Sequence, residues 1–118
     1  MSYDIELIDP KTKETVLLGH RHKLKGGTYA MGGTNEAWLN ITYNYSKFFR
    51  RVFGEEGIRI IYGKTGEESI PILEEAISKL EGEPSDNYWA ATEGNAKKAL
   101  ENLLELAKMV PFGVWEGD

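Results

Sequence analysis

The chain contains no cysteine. That excludes disulfide staples, thiolate catalysis and cysteine-ligated zinc together, and it accords with a reducing compartment. No apolar run approaches the roughly 20 residues that span a bilayer, so no membrane contact is expected. Positive charge is in short supply: 14 lysines and arginines face 19 aspartates and glutamates, a formal net charge of -5. Direct nucleic-acid binding usually shows a basic excess or stripe, and none is evident along the whole chain, so it is not expected. An acidic surface suits a basic partner, yet a charge of this size is also ordinary for solubility. The residues Met1-Ser2-Tyr3-Asp4 place an acid where a secretory leader carries a base, and no apolar stretch follows. The expected location is the cytoplasm.

What is present describes one globular domain over residues 1–118. The hydrophobic fraction of 41% is too high for a disordered chain, and 118 residues suffice for one core but not two. Tyr3-Asp4-Ile5-Glu6-Leu7-Ile8 alternates apolar and acidic residues, the period of a half-buried strand. Asp9-Pro10-Lys11-Thr12 reads as a turn, and Thr15-Val16-Leu17-Leu18 as the return strand of an N-terminal hairpin. A second hairpin is read between 28–31 and 37–43, around the turn signal Gly32-Gly33-Thr34-Asn35. Its second strand places Ala37, Leu39, Ile41 and Tyr43 on one face and Trp38, Asn40 and Thr42 on the other.

The period then lengthens. Phe48, Phe49, Val52 and Phe53 share one face of a short helix, which Asn44 or Ser46 can cap and Gly54 can close. Residues 57–63 fit either a strand or a helical turn. Thr65-Gly66-Glu67-Glu68 has capping-box spacing, though Pro71 suits a first turn and moves the expected helix start towards Ser69. Residues 83–87 read as a polar linker and 88–91 as a short turn. A last helix is expected from Glu93 to Met109, stopped by Pro111, with an acidic tail carrying Phe112 and Trp115 behind it. Strands first and helices after is the α+β pattern: an N-terminal antiparallel sheet of three to four strands covered by two to three C-terminal helices.

The motifs for chemistry are few. His20-x-His22 can start a metal site, but nothing nearby completes the ligand set, and Arg21, Lys23 and Lys25 repel a cation. These bases beside Gly26-Gly27 fit the attraction of an anion better. Gly63-Lys64-Thr65 resembles the end of a phosphate loop, but Ile58 stands where that loop needs glycine. There is no G-x-S-x-G elbow and no distinct carboxylate pair. Arg50, Arg51 and Arg59 can hold a phosphate or carboxylate, or simply cover the polar side of the Phe-rich helix. Neither a metal nor an organic cofactor is expected. The distinctive stretch is the hairpin running from Gly26 to Tyr45. Tyr29, Trp38, Tyr43 and Tyr45 carry polar tips on apolar bodies, and Asn40, Thr42 and Asn44 add neutral donors and acceptors, a composition that favours recognition surfaces.

The same glycine-bracketed segment, residues 26–34, with residues 37–45, resembles a family of small proteins of phage and prophage genomes of Gram-positive bacteria. Tyr3-Asp4-Ile5-Glu6-Leu7, Tyr62-Gly63-Lys64-Thr65-Gly66, residues 88–96 and Trp115-Glu116-Gly117-Asp118 are similar to the same family. The likeness covers nearly the whole chain and brings no catalytic residues. It implies a mobile-element origin, and by analogy a phage accessory protein that binds a host protein or small-molecule ligand, counter-defence included. The expected binding set is Tyr29, Trp38, Asn40, Thr42, Tyr43, Asn44, His20, His22 and Arg50. Two alternatives stand beside it: a small enzyme acting on a phosphorylated or nucleotide-like substrate through His20 or His22 with Arg50 or Arg59, and a structural or assembly homo-oligomer.

Overall fold

The computed structural model describes residues 2–22, 24 and 33–118. The α+β reading holds. A three-stranded antiparallel sheet has the order β4-β1-β5, a second sheet pairs β2 with β3, and three helices follow the first four strands. The strands are β1 (Ser2–Ile8), β2 (Leu17–His22), β3 (Thr34–Glu36), β4 (Trp38–Thr42) and β5 (Val114–Gly117). The helices are α1 (Ser46–Phe53), α2 (Gly66–Ser78) and α3 (Glu93–Met109). Among the described residues no helix is long and apolar enough to cross a membrane.

β1 is the central strand because its alternation serves a sheet with one core face. Tyr3, Ile5 and Leu7 are buried, and their register partners Ile41, Leu39 and Trp115 are buried with them. The turn after β1 forms as expected. The Lys11 N–H donates to Asp9 Oδ1 at 2.7 Å, Asp9 N–H donates to the Glu14 carbonyl, and Ile8 bridges Thr15. The hairpin goes no further along β1. Leu7 N–H turns to the Ala37 carbonyl, and Ala37 N–H to the Val16 carbonyl, so the fully buried Ala37 separates the two strands. β4 therefore takes that edge of β1, and β2 pairs with β3 instead. β3 itself lies where the sequence suggests a turn. The 28–31 arm of the second expected hairpin lies outside the described residues.

The third strand of the main sheet comes from the tail. β5 runs antiparallel to β1 with Ile5 opposite Gly117, and Trp115 is buried to 1% exposure. A Cβ on Gly117 would lie 2.5 Å from the Tyr62 hydroxyl and 2.8 Å from the Asp4 carbonyl, so only glycine fits this approach. Residues 57–63, ambiguous in sequence, form a 3-10 turn over Gly57–Ile61.

The capping box forms: Glu68 N–H donates to Thr65 Oγ1 at 3.0 Å, and Thr65 N–H donates to Glu68 Oε1 at 2.8 Å. Because that box is satisfied, α2 starts at Gly66 and carries Pro71 inside the helix, with the proline ring exposed. α3 has the expected bounds, with Thr92 Oγ1 accepting from Asn95 N–H. In α1 only Phe49 is fully buried; Phe48, Val52 and Phe53 are half-buried. Neither Asn44 nor Ser46 caps α1. Thr42 Oγ1 accepts from Asn44 N–H and caps the 3-10 turn Tyr43–Tyr45 that leads into it. Sheet and helices share one core, in which Tyr3, Ile5, Leu39 and Trp115 join Phe49, Leu73, Leu100 and Leu103.

Candidate binding cleft

β4 delivers the chain into the 3-10 turn Tyr43–Tyr45, and there the expected binding residues part company. Antiparallel pairing places Trp38, Asn40 and Thr42 opposite Glu6, Asp4 and Ser2, on the sheet face away from the core. Trp38 is half-buried, while Asn40 and Thr42 are buried. The Asn40 amide donates to Ser2 Oγ at 2.8 Å and to Asp4 Oδ1 at 2.9 Å. Tyr43 packs edge-on against Tyr3, with ring centroids 4.5 Å apart. Tyr29 lies outside the described residues.

The basic candidates do not gather around a cavity. His20 is exposed on β2, whereas His22 is buried with both ring nitrogens engaged. Leu24 N–H donates to Nδ1 at 3.2 Å, so Nε2 carries the hydrogen that it donates to the Glu36 carbonyl at 2.8 Å. β2 and β3 shift register between Leu17 and His22. Arg50 is exposed on α1, and Arg59 Nε donates to the Asp118 main-chain oxygen at 2.9 Å while its guanidinium lies over the Tyr3 ring. Among the described residues no three His, Asp or Glu side chains stand close enough to hold a metal.

A different group does converge. Asn44 donates to the Trp89 carbonyl at 2.8 Å, the Thr42 N–H reaches the Tyr88 hydroxyl at 3.4 Å, and the buried Tyr45 hydroxyl donates to the Tyr88 carbonyl. The end of β4 and its 3-10 turn are thereby tied to the loop over residues 84–92. The opposite side of that loop is held by Asn95, in the first turn of α3. Its Oδ1 accepts from Ser85 N–H at 2.8 Å, and its Nδ2 faces the carbonyls of Asn87, Tyr88 and Ala90 at 3.0, 3.3 and 2.9 Å. One buried amide thus satisfies main-chain groups that a loop of this kind would otherwise have to leave in water.

Close approach of the linker is possible because residue 94 is glycine: a Cβ there would lie 2.0 Å from the Glu83 carbonyl oxygen. Glu93 adds a surface tie, pairing with Arg51 of α1 at 3.0 Å and accepting from Glu81 N–H at 3.0 Å. Those contacts, the Arg51 bond foremost, hold its carboxyl below the usual range.

Between this loop and α3 lies a cavity of about 250 Å³, lined by Tyr45, Pro84, Ser85, Asp86, Tyr88, Asn95, Lys98, Ala99 and Asn102. Its aromatic walls meet at an angle: the Tyr45 and Tyr88 rings are 5.5 Å apart and inclined at 63°. Trp89 stands beside them edge-on to Tyr88 at 5.1 Å and is 52% exposed, the most exposed tryptophan of the chain. Burial raises the hydroxyl pKa of both Tyr45 and Tyr88, so both remain hydrogen-bond donors at neutral pH. A shallower hollow of about 150 Å³ lies between α1 and α2, lined by Val52, Phe53, Ile60, Ile72, Glu75, Ala76 and Lys79. His20, His22, Arg50 and Arg59 line neither cavity.

Of residues 42–45 only Tyr45 lines the cavity, and none of the described residues of the expected binding set does; sequence reasoning named Tyr45 among the aromatics of the hairpin and missed the loop and α3. A signal was present in α3. Asn95, Ala99, Asn102 and Leu106 fall at helical spacing on a buried stripe, where two amides and a small residue interrupt an apolar face. Comparison with protein-family models, curated proteins and solved structures finds no match to this chain.

Proposed function

We propose that this chain is a phage-type accessory protein of the host cytoplasm that acts by binding a host protein or small ligand in the cleft between residues 42–45 and 84–102. The observation that carries the proposal is the cavity itself: aromatic walls, a few placed polar groups and an exposed tryptophan at its side, all mounted on a loop whose main-chain hydrogen bonds are answered by Asn95. Binding sites in small domains are of this kind, concave and mostly apolar with a few oriented polar groups. The origin rests on the resemblance at residues 26–45 and 88–96, segments that include two walls of the cleft. A non-enzymatic role fits better than catalysis, since the histidines and arginines that an enzyme would need lie away from the cavity.

The test is a capture from lysate of a Gram-positive host by the wild-type chain and by Trp89→Ala, each read by native mass spectrometry. The proposal expects a retained mass that the variant loses. Equal retention by both chains would move the binding site elsewhere.

A further inference from the structure

The electrostatics around the cleft narrow the class of partner, an inference that rests on the binding reading above. Residues 81–92 hold three acids, Glu81, Glu83 and Asp86, and no lysine or arginine. All three are exposed, and none forms an ion pair among the described residues. Asp86 also lines the cavity. One base, Lys98 of α3, likewise lines the cavity and is in no ion pair among the described residues, while Arg51, close to Glu81, is paired with Glu93. With Glu93 and Arg51 counted, the lip carries four acids against two bases, a net excess of two negative charges. A phosphate-bearing ligand would meet repulsion there, and a cationic partner would be drawn in.

Size supplies the second constraint. About 250 Å³ falls below the usual range for drug-sized ligands, roughly 300 to 1,000 Å³. It suits one ring-bearing side chain, not a helix or an oligonucleotide. The Tyr45–Tyr88 corner offers that ring the edge-to-face contacts aromatic groups prefer, and the exposed Trp89 extends the apolar contact outside the cavity.

We infer that the cleft takes an exposed basic segment of a partner protein, one aromatic side chain filling the cavity while flanking lysines or arginines meet Glu81, Glu83 and Asp86. The aromatic residue anchors the segment, and the charges accelerate its approach and set its specificity.

Three capped pentapeptides titrated into the full chain test this, read by amide chemical shifts: phenylalanine between two pairs of lysines, alanine between the same lysines, and phenylalanine between two pairs of glutamates. The lysine–phenylalanine peptide is expected to shift Tyr88, Trp89, Asn95 and Asn102. Its affinity should fall roughly tenfold when phenylalanine becomes alanine, and fall again with added salt. The double charge reversal Glu83→Lys with Asp86→Lys lies at exposed positions and should weaken binding severalfold while leaving the unfolding midpoint in place.

Equal binding of the glutamate-flanked peptide, or no loss on charge reversal, would overturn the basic-partner inference while leaving the cleft a binding site. Silence of all three peptides, with a lysate mass still lost on Trp89→Ala, would also overturn it and leave the binding reading intact. Silence of the peptides together with equal lysate retention by both chains would remove both.

Discussion

Two aromatic corners of this protein use the same materials to different ends. At the first, Trp115 of β5 is buried against the start of α2, its Nε1–H donating to Ser69 Oγ at 2.7 Å, and that hydroxyl donating to the Gly66 carbonyl at 2.7 Å. The corner is closed on all sides. A Cβ on Gly66 would lie 2.5 Å from the Val110 carbonyl oxygen, and one on Gly113 would lie 3.0 Å from Leu7 and Val110 side-chain atoms. At the second, the Tyr45 hydroxyl and the Asn95 amide both donate to the Tyr88 carbonyl, yet a cavity remains between the two rings and α3. In the first corner the polar atoms let a large ring be buried without cost to hydrogen bonding. In the second they hold apart walls that could otherwise collapse together. Close packing is the default of a protein interior, and a hollow kept open by a satisfied polar frame departs from it, which is the ground of the binding proposal.

Substitutions sharpen the contrast, the largest effect first. Trp115→Ala should cost about 3–5 kcal/mol, because a buried ring is deleted and Ser69 loses its donor. Urea unfolding monitored by circular dichroism measures it, and a loss no larger than that of a surface residue would mean that the closed corner is not packed as described. Asn95→Ala should cost about 1–3 kcal/mol by leaving the Ser85 N–H without its acceptor and by removing one of the two donors to each of the Asn87, Tyr88 and Ala90 carbonyls. It should also raise hydrogen exchange across 85–90 before the rest of the chain unfolds. An unchanged exchange pattern there would show that the loop does not depend on Asn95.

The Glu93–Arg51 pair gives a smaller, pH-dependent effect. Its carboxyl is held low in the folded chain, so the contribution is present above the ordinary carboxylate range and is lost as pH falls through that range towards the lowered folded value. Both groups are solvent-exposed, so the increment is small. Thermal midpoints of wild type and Arg51→Ala should differ slightly at neutral pH and converge in acid; a gap that widens in acid has the wrong sign. Trp89→Ala has the smallest expected effect on stability, within about 0.5 kcal/mol, because half of that ring already faces water. A large loss of stability would place Trp89 with the closed corner and not with the binding surface.

The two corners also differ in how far sequence revealed them. Regular elements follow local rules: the alternation of β1, the Thr65/Glu68 box and the bounds of α3 were all legible. Trp115 read only as an aromatic in a tail, because its strand has four residues and its partner lies more than a hundred positions away in β1. The turn signal at residues 32–35 concealed β3, since three residues are too few to show a period. The cleft was legible only at Tyr45. Residues 42–45 stood out by composition, but the facing loop has no periodicity, and its shape comes from one asparagine side chain bonding main-chain groups five to ten residues away. Asn40 and Thr42 carry the polar groups of a recognition surface and spend them inside the fold; alternation reports which face a residue joins, not what covers that face.

The most direct test is hydrogen exchange of the chain with and without whatever partner it captures. If the open corner binds, protection on complex formation should fall on residues 84–92 and on the first two turns of α3, with β5 and the start of α2 unchanged. Protection confined to β2, around His20, or to α1, with exchange at Trp89 unaltered, would contradict it.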